Sequence, residues 1–230
     1  MQKECFSEKG WEVFRALREM TEKFHATLAG GTALALQLGH RISYDLDFFT
    51  EKNFSIEAAI AAIREAGLPF RVTSEGDGTL NAEVDGIKVS LLRFDHPFLE
   101  KPLIHDGIPI AGILDIAAMK VIAISQRGLK RDFVDLYIIL QEKPFHHIAG
   151  HMVKRFGPER VSPLHIGKSL VYFADAEGNP EPSYIKGKEV PWDDVKRFFR
   201  EHVKQYVLDL DAAVKKGNTR NEYGPSGNAA

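Results

Sequence analysis

One cysteine in 230 residues, Cys5, leaves no intramolecular disulfide to be made, and a chain without disulfides fits a reducing cytoplasm. No apolar run approaches the roughly 20 residues that a membrane helix needs. Acidic and basic residues interrupt Met1 to Arg18, where a signal peptide would carry its apolar stretch. A cytoplasmic protein with no membrane partner is therefore expected. An excess of one charge is missing too: 30 Lys and Arg against 32 Asp and Glu give a formal net charge of −2. Such a chain has no global attraction to nucleic acid, so any RNA contact has to come from a local basic patch. Internal repeats are absent. What remains, 44% hydrophobic and 27% charged residues, is the composition of a globular protein long enough for one domain or two halves.

The most informative stretch is Leu28 to Thr50, LAGGTALALQLGHRISYDLDFFT. A short apolar run ends in Gly30-Gly31-Thr32, a helical TALALQL follows, and Gly39-His40-Arg41 turns the chain into an alternating strand from Tyr44 to Phe49. Side chains alternate faces along a strand, so Asp45 and Asp47 point the same way with Cα atoms roughly 6.5 Å apart, opposite Leu46 and Phe48. Mg²⁺ prefers oxygen ligands and is usually held by one or two carboxylates together with substrate phosphates. Glycine permits close backbone approach, and the N–H groups opening a helix attract phosphate oxygens. Thr32 either caps that helix or offers its hydroxyl to a phosphate. Two solvated aspartates beside an ordinary turn would give a bare DxD as well; GGT, Arg41, Ser43 and DLDFF together favour a nucleotide site.

Gly-Gly-Thr, the short helix and the DLD strand resemble the signature of the DNA-polymerase-beta-like nucleotidyltransferase superfamily. The fuller string GGTALAL…GHRISYDLDFF resembles the AbiEii family, nucleotidyltransferase toxins of type IV toxin–antitoxin systems. The resemblance extends over most of residues 10 to 210. It implies an α+β fold, a polymerase-beta-like mixed sheet with helices followed by a mainly helical C-terminal part. The expected division is 1–112 for the nucleotidyltransferase core, 113–216 for the helical domain and 217–230 for a disordered tail rich in Gly, Asn and Ser.

Along the chain, Ser7 to Phe24 reads as one amphipathic helix and His25 to Leu28 as the first strand. Ser55 caps a helix that ends at Gly67. Phe70 to Thr73 is a short strand, and Leu80 to Val84 and Ile87 to Phe94 form a hairpin around Asp85-Gly86, a pair suited to strand twist. In the superfamily a strand beside DxD often carries a third carboxylate. The equivalent position here is Ser90, which cannot replace a carboxylate's charge. Asp85 and Asp95 lie nearby but read as turn or strand-end residues.

From Ile113 the pattern turns helical. ILDIAAMKVIAI is apolar nearly all round with Lys120 in its middle, a place where lysine either snorkels to water or meets an anion. Gly128 ends that helix, and Asp132 can cap the next. RDFVDLY resembles the AbiEii motif of a basic residue followed by Asp-x-x-Asp-Leu. Asp132 and Asp135 share a helix face, and one of them either acts as general base on the acceptor hydroxyl or positions Lys120 and Arg131. His146, His147 and His151 invite a zinc reading, but the HExxH glutamate is missing and no third ligand is evident, so surface histidines are the better reading. SLVYFADAEGNPEPSYIKGKEVPWDDVKRFF is similar to the C-terminal part of AbiEii proteins, with a helix led by Trp192.

The resemblance implies a metal-dependent nucleotidyltransferase. Gly30, Gly31 and Thr32, with Arg41 and Ser43, would hold the NTP, Asp45 and Asp47 would bind Mg²⁺ or Mn²⁺, and Lys120 would neutralise the leaving pyrophosphate. Asp132 or Asp135 would orient an acceptor hydroxyl on RNA (tRNA included) or protein. A separately encoded antitoxin is the implied partner. The alternative is a non-catalytic nucleotide or RNA binder of the same fold, motivated by Ser90.

Overall fold

A computed structural model describes residues 1–222, with side chains described to Thr219. The chain divides into two compact units. The first comprises Met1–Ile116 together with Pro182–Glu189, the second Ala117–Glu181 and the chain from Val190 onward.

The first unit is built on a mixed sheet of β1 (Thr27–Ala29), β2 (Asp45–Thr50), β3 (Phe70–Gly76), β4 (Thr79–Val84), β5 (Ile87–Arg93), β6 (Leu103–His105) and β7 (Ile108–Ile110). Their spatial order is β3-β4-β5-β2-β1-β7-β6. β2 runs parallel to β5 and antiparallel to β1, so the DLD strand is central. Alternation sorts the residues as the pattern requires: Leu46 and Phe48 of β2, Leu80, Ala82 and Val84 of β4, and Val89 and Leu91 of β5 are all buried. Asp45, Asp47 and Ser90, on the opposite phase, are half-buried.

The Asp85-Gly86 turn takes φ of 46° and 82° and joins β4 to β5 as the expected hairpin, with Val84 opposite Ile87. A second hairpin of this kind, β6–β7 around Asp106-Gly107 (φ 49° and 82°), was not read from the sequence. Its strands are three residues long and Pro109 interrupts one, a residue that argues against a central strand. It is nevertheless held because Ile108 and Ile110 are buried and β7 adds in parallel to β1.

The expected single helix from Ser7 to Phe24 is two: α1 (Glu8–Ala16), capped by the Ser7 hydroxyl accepting from the Gly10 amide at 3.0 Å, and α2 (Arg18–Phe24). The break falls at Leu17, where ψ reaches 8°. Redirecting the chain there lets Trp11, Val13 and Phe14 of α1 and Leu17, Met20 and Phe24 beyond it all reach the core. α3 (Gly30–Leu38) and α4 (Ile56–Glu65) complete this unit. Ser55 caps α4 at 3.1 Å from the Ala58 amide, a bond worth about 1 kcal/mol.

α5 (Ile113–Arg127) carries the chain into the second unit, which holds α6 (Lys130–Leu140), α7 (Phe145–Phe156), α8 (Pro163–Ser169), α9 (Ala174–Glu177) and α10 (Trp192–Glu222). Its core forms where α10 crosses α6, α7 and α8: Phe199 meets Phe133 edge-on at 5.6 Å, and Tyr206 stacks on Phe145 at 4.1 Å. The tail expected from Gly217 is corrected in its first part, since α10 continues to Glu222. Gly217 lies against Val153 and Pro158, where a Cβ would collide. It is a close-packing position on α10 rather than a stop; residues 223–230 of the expected tail lie outside the described residues. The α+β class is as expected, and among the described residues no helix is long and apolar enough to cross a membrane.

Candidate active site

β1 ends at Ala29 and the chain turns directly into α3 through Gly30, whose φ of +71° is a conformation that L side chains rarely adopt. Ala29 and Asp47 are register partners, so the glycine turn and the second aspartate are neighbours. A Cβ on Gly30 would stand 3.1 Å from Asp47 Oδ2. A Cβ on Gly31 would collide with the Arg41 guanidinium, with Ser43 Oγ 3.6 Å away. Gly30 is required by its positive φ, and at Gly31 an added methyl would push the end of the Arg41 side chain aside. Gly30→Ala is expected to keep the sheet intact, displace the Asp47 carboxylate and lower activity by about 10²-fold, the scale of an ångström-level misplacement. Steady-state kinetics beside a thermal melt check it.

Thr32 does not cap α3. The N-cap is Ala29, which offers no side-chain bond, and the buried Thr32 hydroxyl instead donates to the carbonyl of Asp45. The Thr32 and Ser43 hydroxyls are 2.8 Å apart. Thr32 therefore pins the start of the helix to the start of the DLD strand. Arg41 and Ser43 are 5% and 6% exposed. Gly30, Gly31, Thr32, Arg41, Ser43, Asp45 and Asp47 are brought together here by two short elements and one connection.

Sheet register places Ser90 directly beside Asp47 and Lys88 beside Asp45. Asn81 follows Ser90 in the next strand, so the row leading from Asp47 is neutral. Neither Asp85 nor Asp95 stands beside Asp47. Asp85 lies in the hairpin turn with Lys9 at 3.0 Å, and Asp95 beyond β5 with Arg93 at 2.9 Å. The donor set is a pair of carboxylates on one face, which suits an octahedral cation that keeps water and substrate oxygens for its other positions. Among the described residues, no group of three or more His, Cys, Asp or Glu side chains is placed to hold a metal.

The remaining predicted residues form a cluster of their own in the second unit. Lys120 is 5% exposed and its Nζ lies 2.8 Å from Asp132 Oδ1 and 2.6 Å from Asp135 Oδ2, both aspartates being fully buried. Asp132 does not cap α6; Leu129 occupies the N-cap, and Asp132 stands in the first turn, where its carboxylate suits the helix dipole. Its second oxygen accepts from Arg127 Nε at 3.1 Å. The arginine in the cluster is thus Arg127, while Arg131 is exposed. The next lysine, Lys130, is also buried, with Glu181 at 2.7 Å and Trp192 5.4 Å away beneath its ammonium.

The glycine turn opening a helix beside a carboxylate pair on a central strand is the arrangement that the resemblance to nucleotidyltransferases implies. Residues 13–208 match the family described as "Nucleotidyl transferase AbiEii toxin, Type IV TA system", and the chain belongs to that family. An uncharacterized protein of Aquifex aeolicus is 39% identical over 187 residues, 78% of this chain and 87% of that one. Among solved structures, MenT4, a nucleotidyltransferase toxin of Mycobacterium tuberculosis, superposes with a TM-score of 0.62 at 17% identity, covering 94% of this chain and 92% of that one. JHP933 from Helicobacter pylori gives 0.54 at 18% identity, covering 94% and 99%. At these identities the structures show a shared fold.

Proposed function

We propose that this nucleotidyltransferase moves an NMP from an NTP to a hydroxyl of RNA or protein, using a site centred on Gly30, Gly31, Asp45 and Asp47. The observation that carries the reading is the register of Ala29 against Asp47, which sets the uncapped start of α3 beside the carboxylate pair. Phosphoryl-type transfer is catalysed mainly by positioning and electrostatics, and these are what the site supplies.

Asp45 and Asp47 would hold Mg²⁺ or Mn²⁺, which when bound with the NTP offsets phosphate charge. The amides of Gly31 and Thr32 face the phosphates from the helix start. Arg41, with its guanidinium over Gly31, adds positive charge to the same place, and Ser43 holds Thr32 in position. Lys120 has three N–H donors, of which Asp132 and Asp135 take two. The family resemblance gives Lys120 the task of neutralising the leaving pyrophosphate, with Asp132 or Asp135 orienting the acceptor. The family's type IV description supports a toxin role countered by a separately encoded antitoxin, acting in the cytoplasm. A non-catalytic binder remains the second reading, favoured by the neutral Ser90 beside Asp47.

The test is incubation of the purified protein with each α-labelled NTP, Mg²⁺ or Mn²⁺ and total cellular RNA. Label on RNA or protein is expected with one NTP. Saturable NTP binding with no label on any acceptor would overturn transfer and select the binding reading.

A further inference from the structure

The connection from His40 to Tyr44 carries Arg41 and Ser43 but is neither helix nor strand, so its peptide groups need partners from elsewhere. Two remote segments supply them. The Ser43 amide donates to the Cys5 carbonyl at 2.9 Å. The Ile42 amide donates to the Ser183 carbonyl at 2.7 Å, and the Ile185 amide donates to the His40 carbonyl at 3.2 Å. Arg41 and Tyr184 are the antiparallel pair between those two bonds. In such a non-hydrogen-bonded pair the Cα atoms approach to about 4.5 Å and both side chains stand on the same side. The Tyr44 hydroxyl adds a bond to Ser183 Oγ at 3.1 Å.

We infer that the strap Pro182–Glu189 is a positioning element for nucleotide binding, acting through Arg41. The inference rests on the nucleotide site proposed above and extends it to residues about 140 positions away in sequence. The chain leaves the second unit after Glu181, contributes these eight residues to the first, and returns at Val190. In the first unit the strap's backbone bonds fall on the residues either side of Arg41. The Arg41 side chain has four rotatable bonds, and its terminal nitrogen comes to rest over Gly31, where even a methyl group would not fit. A guanidinium held that closely needs its own Cα fixed. The Arg41 Nη1 bond to the Ile42 carbonyl is local and moves with the backbone. The strap, with Tyr184 beside Arg41, supplies an external reference on both sides of that residue.

The test removes one strap bond and asks whether the effect passes through Arg41. Ile185→Pro deletes the amide that donates to His40 while keeping an apolar side chain. Loss of one backbone hydrogen bond corresponds to about a 3- to 10-fold rise in Kd for a labelled NTP in Mg²⁺. In an Arg41→Ala background the same substitution should add nothing, because contacts acting through one residue are not additive. Tyr184→Ala is the second variant, expected to weaken NTP binding with Tyr184→Phe restoring it. Weakening by Ile185→Pro that is equal in both backgrounds, or no weakening by either strap variant while Arg41→Ala does weaken binding, overturns the strap and leaves the site standing. Wild-type protein that binds none of the four NTPs overturns both.

Discussion

Asp47→Asn is expected to abolish metal-dependent nucleotidyl transfer while leaving the fold and its melting temperature nearly unchanged. Asp47 is half-buried on the open phase of β2, with Ala29 and Ser90 as its neighbours in register. Apolar packing on that strand comes from Leu46 and Phe48, which point the other way. An amide of the same size therefore disturbs the core little. In the proposed metal site its effect would be large, because the row offers no spare acid: Ser90 is neutral and the carboxylates of Asp85 and Asp95 are at the strand ends with Lys9 and Arg93. Losing half of a two-carboxylate site removes charge stabilisation of several kcal/mol, a fall of about 10³-fold or more in rate. Raising Mg²⁺ or substituting Mn²⁺ should recover only part of it. Residual activity within tenfold of wild type would displace Asp47 from the metal site and with it the reading of the whole turn.

The parts of the two candidate clusters legible in the sequence are those governed by short periods. Two-residue alternation placed Asp45 and Asp47 on one side of β2, and the Asp85-Gly86 turn fixed the hairpin whose second strand carries Ser90. Spacing of three put Asp132 and Asp135 on one face of α6, where both meet Lys120. What spacing did not reveal is how polar side chains choose between local and distant partners. Asp132 and Thr32 are both of a type that caps helices, and both spend their oxygens on remote groups instead, Lys120 and Arg127 in one case and the Asp45 carbonyl in the other. Pairing of Arg41 with Tyr184 was illegible for the same reason, since a single bridge between irregular segments leaves no periodic trace. Gly217 misled in the opposite direction: glycine marks helix ends by propensity, but here its missing side chain is what lets α10 pass close to Val153.

Lys120→Met should be the most destabilising single change at a predicted site residue. Asp132 and Asp135 have no exposed surface, and Lys120 is the cation they share. Arg127 reaches Asp132 from a side chain that is 54% exposed and so well solvated. Methionine fills the volume of the lysine stem but leaves Asp135 without its ammonium in a buried place. Removing one partner of a buried ion pair costs about 3 to 5 kcal/mol, a fall of roughly 10 °C in melting temperature for a chain of this size. Buried ionic clusters replaced as a whole by apolar groups of similar volume are often neutral. The combined variant Lys120→Met, Asp132→Leu, Asp135→Leu should therefore melt closer to wild type than Lys120→Met does. Activity separates structure from chemistry: the combined variant, though folded, should transfer no nucleotide if the cluster serves the reaction. Wild-type turnover in that variant would make Lys120, Asp132 and Asp135 a structural triad, and full stability of Lys120→Met alone would show that the two carboxylates do not depend on it.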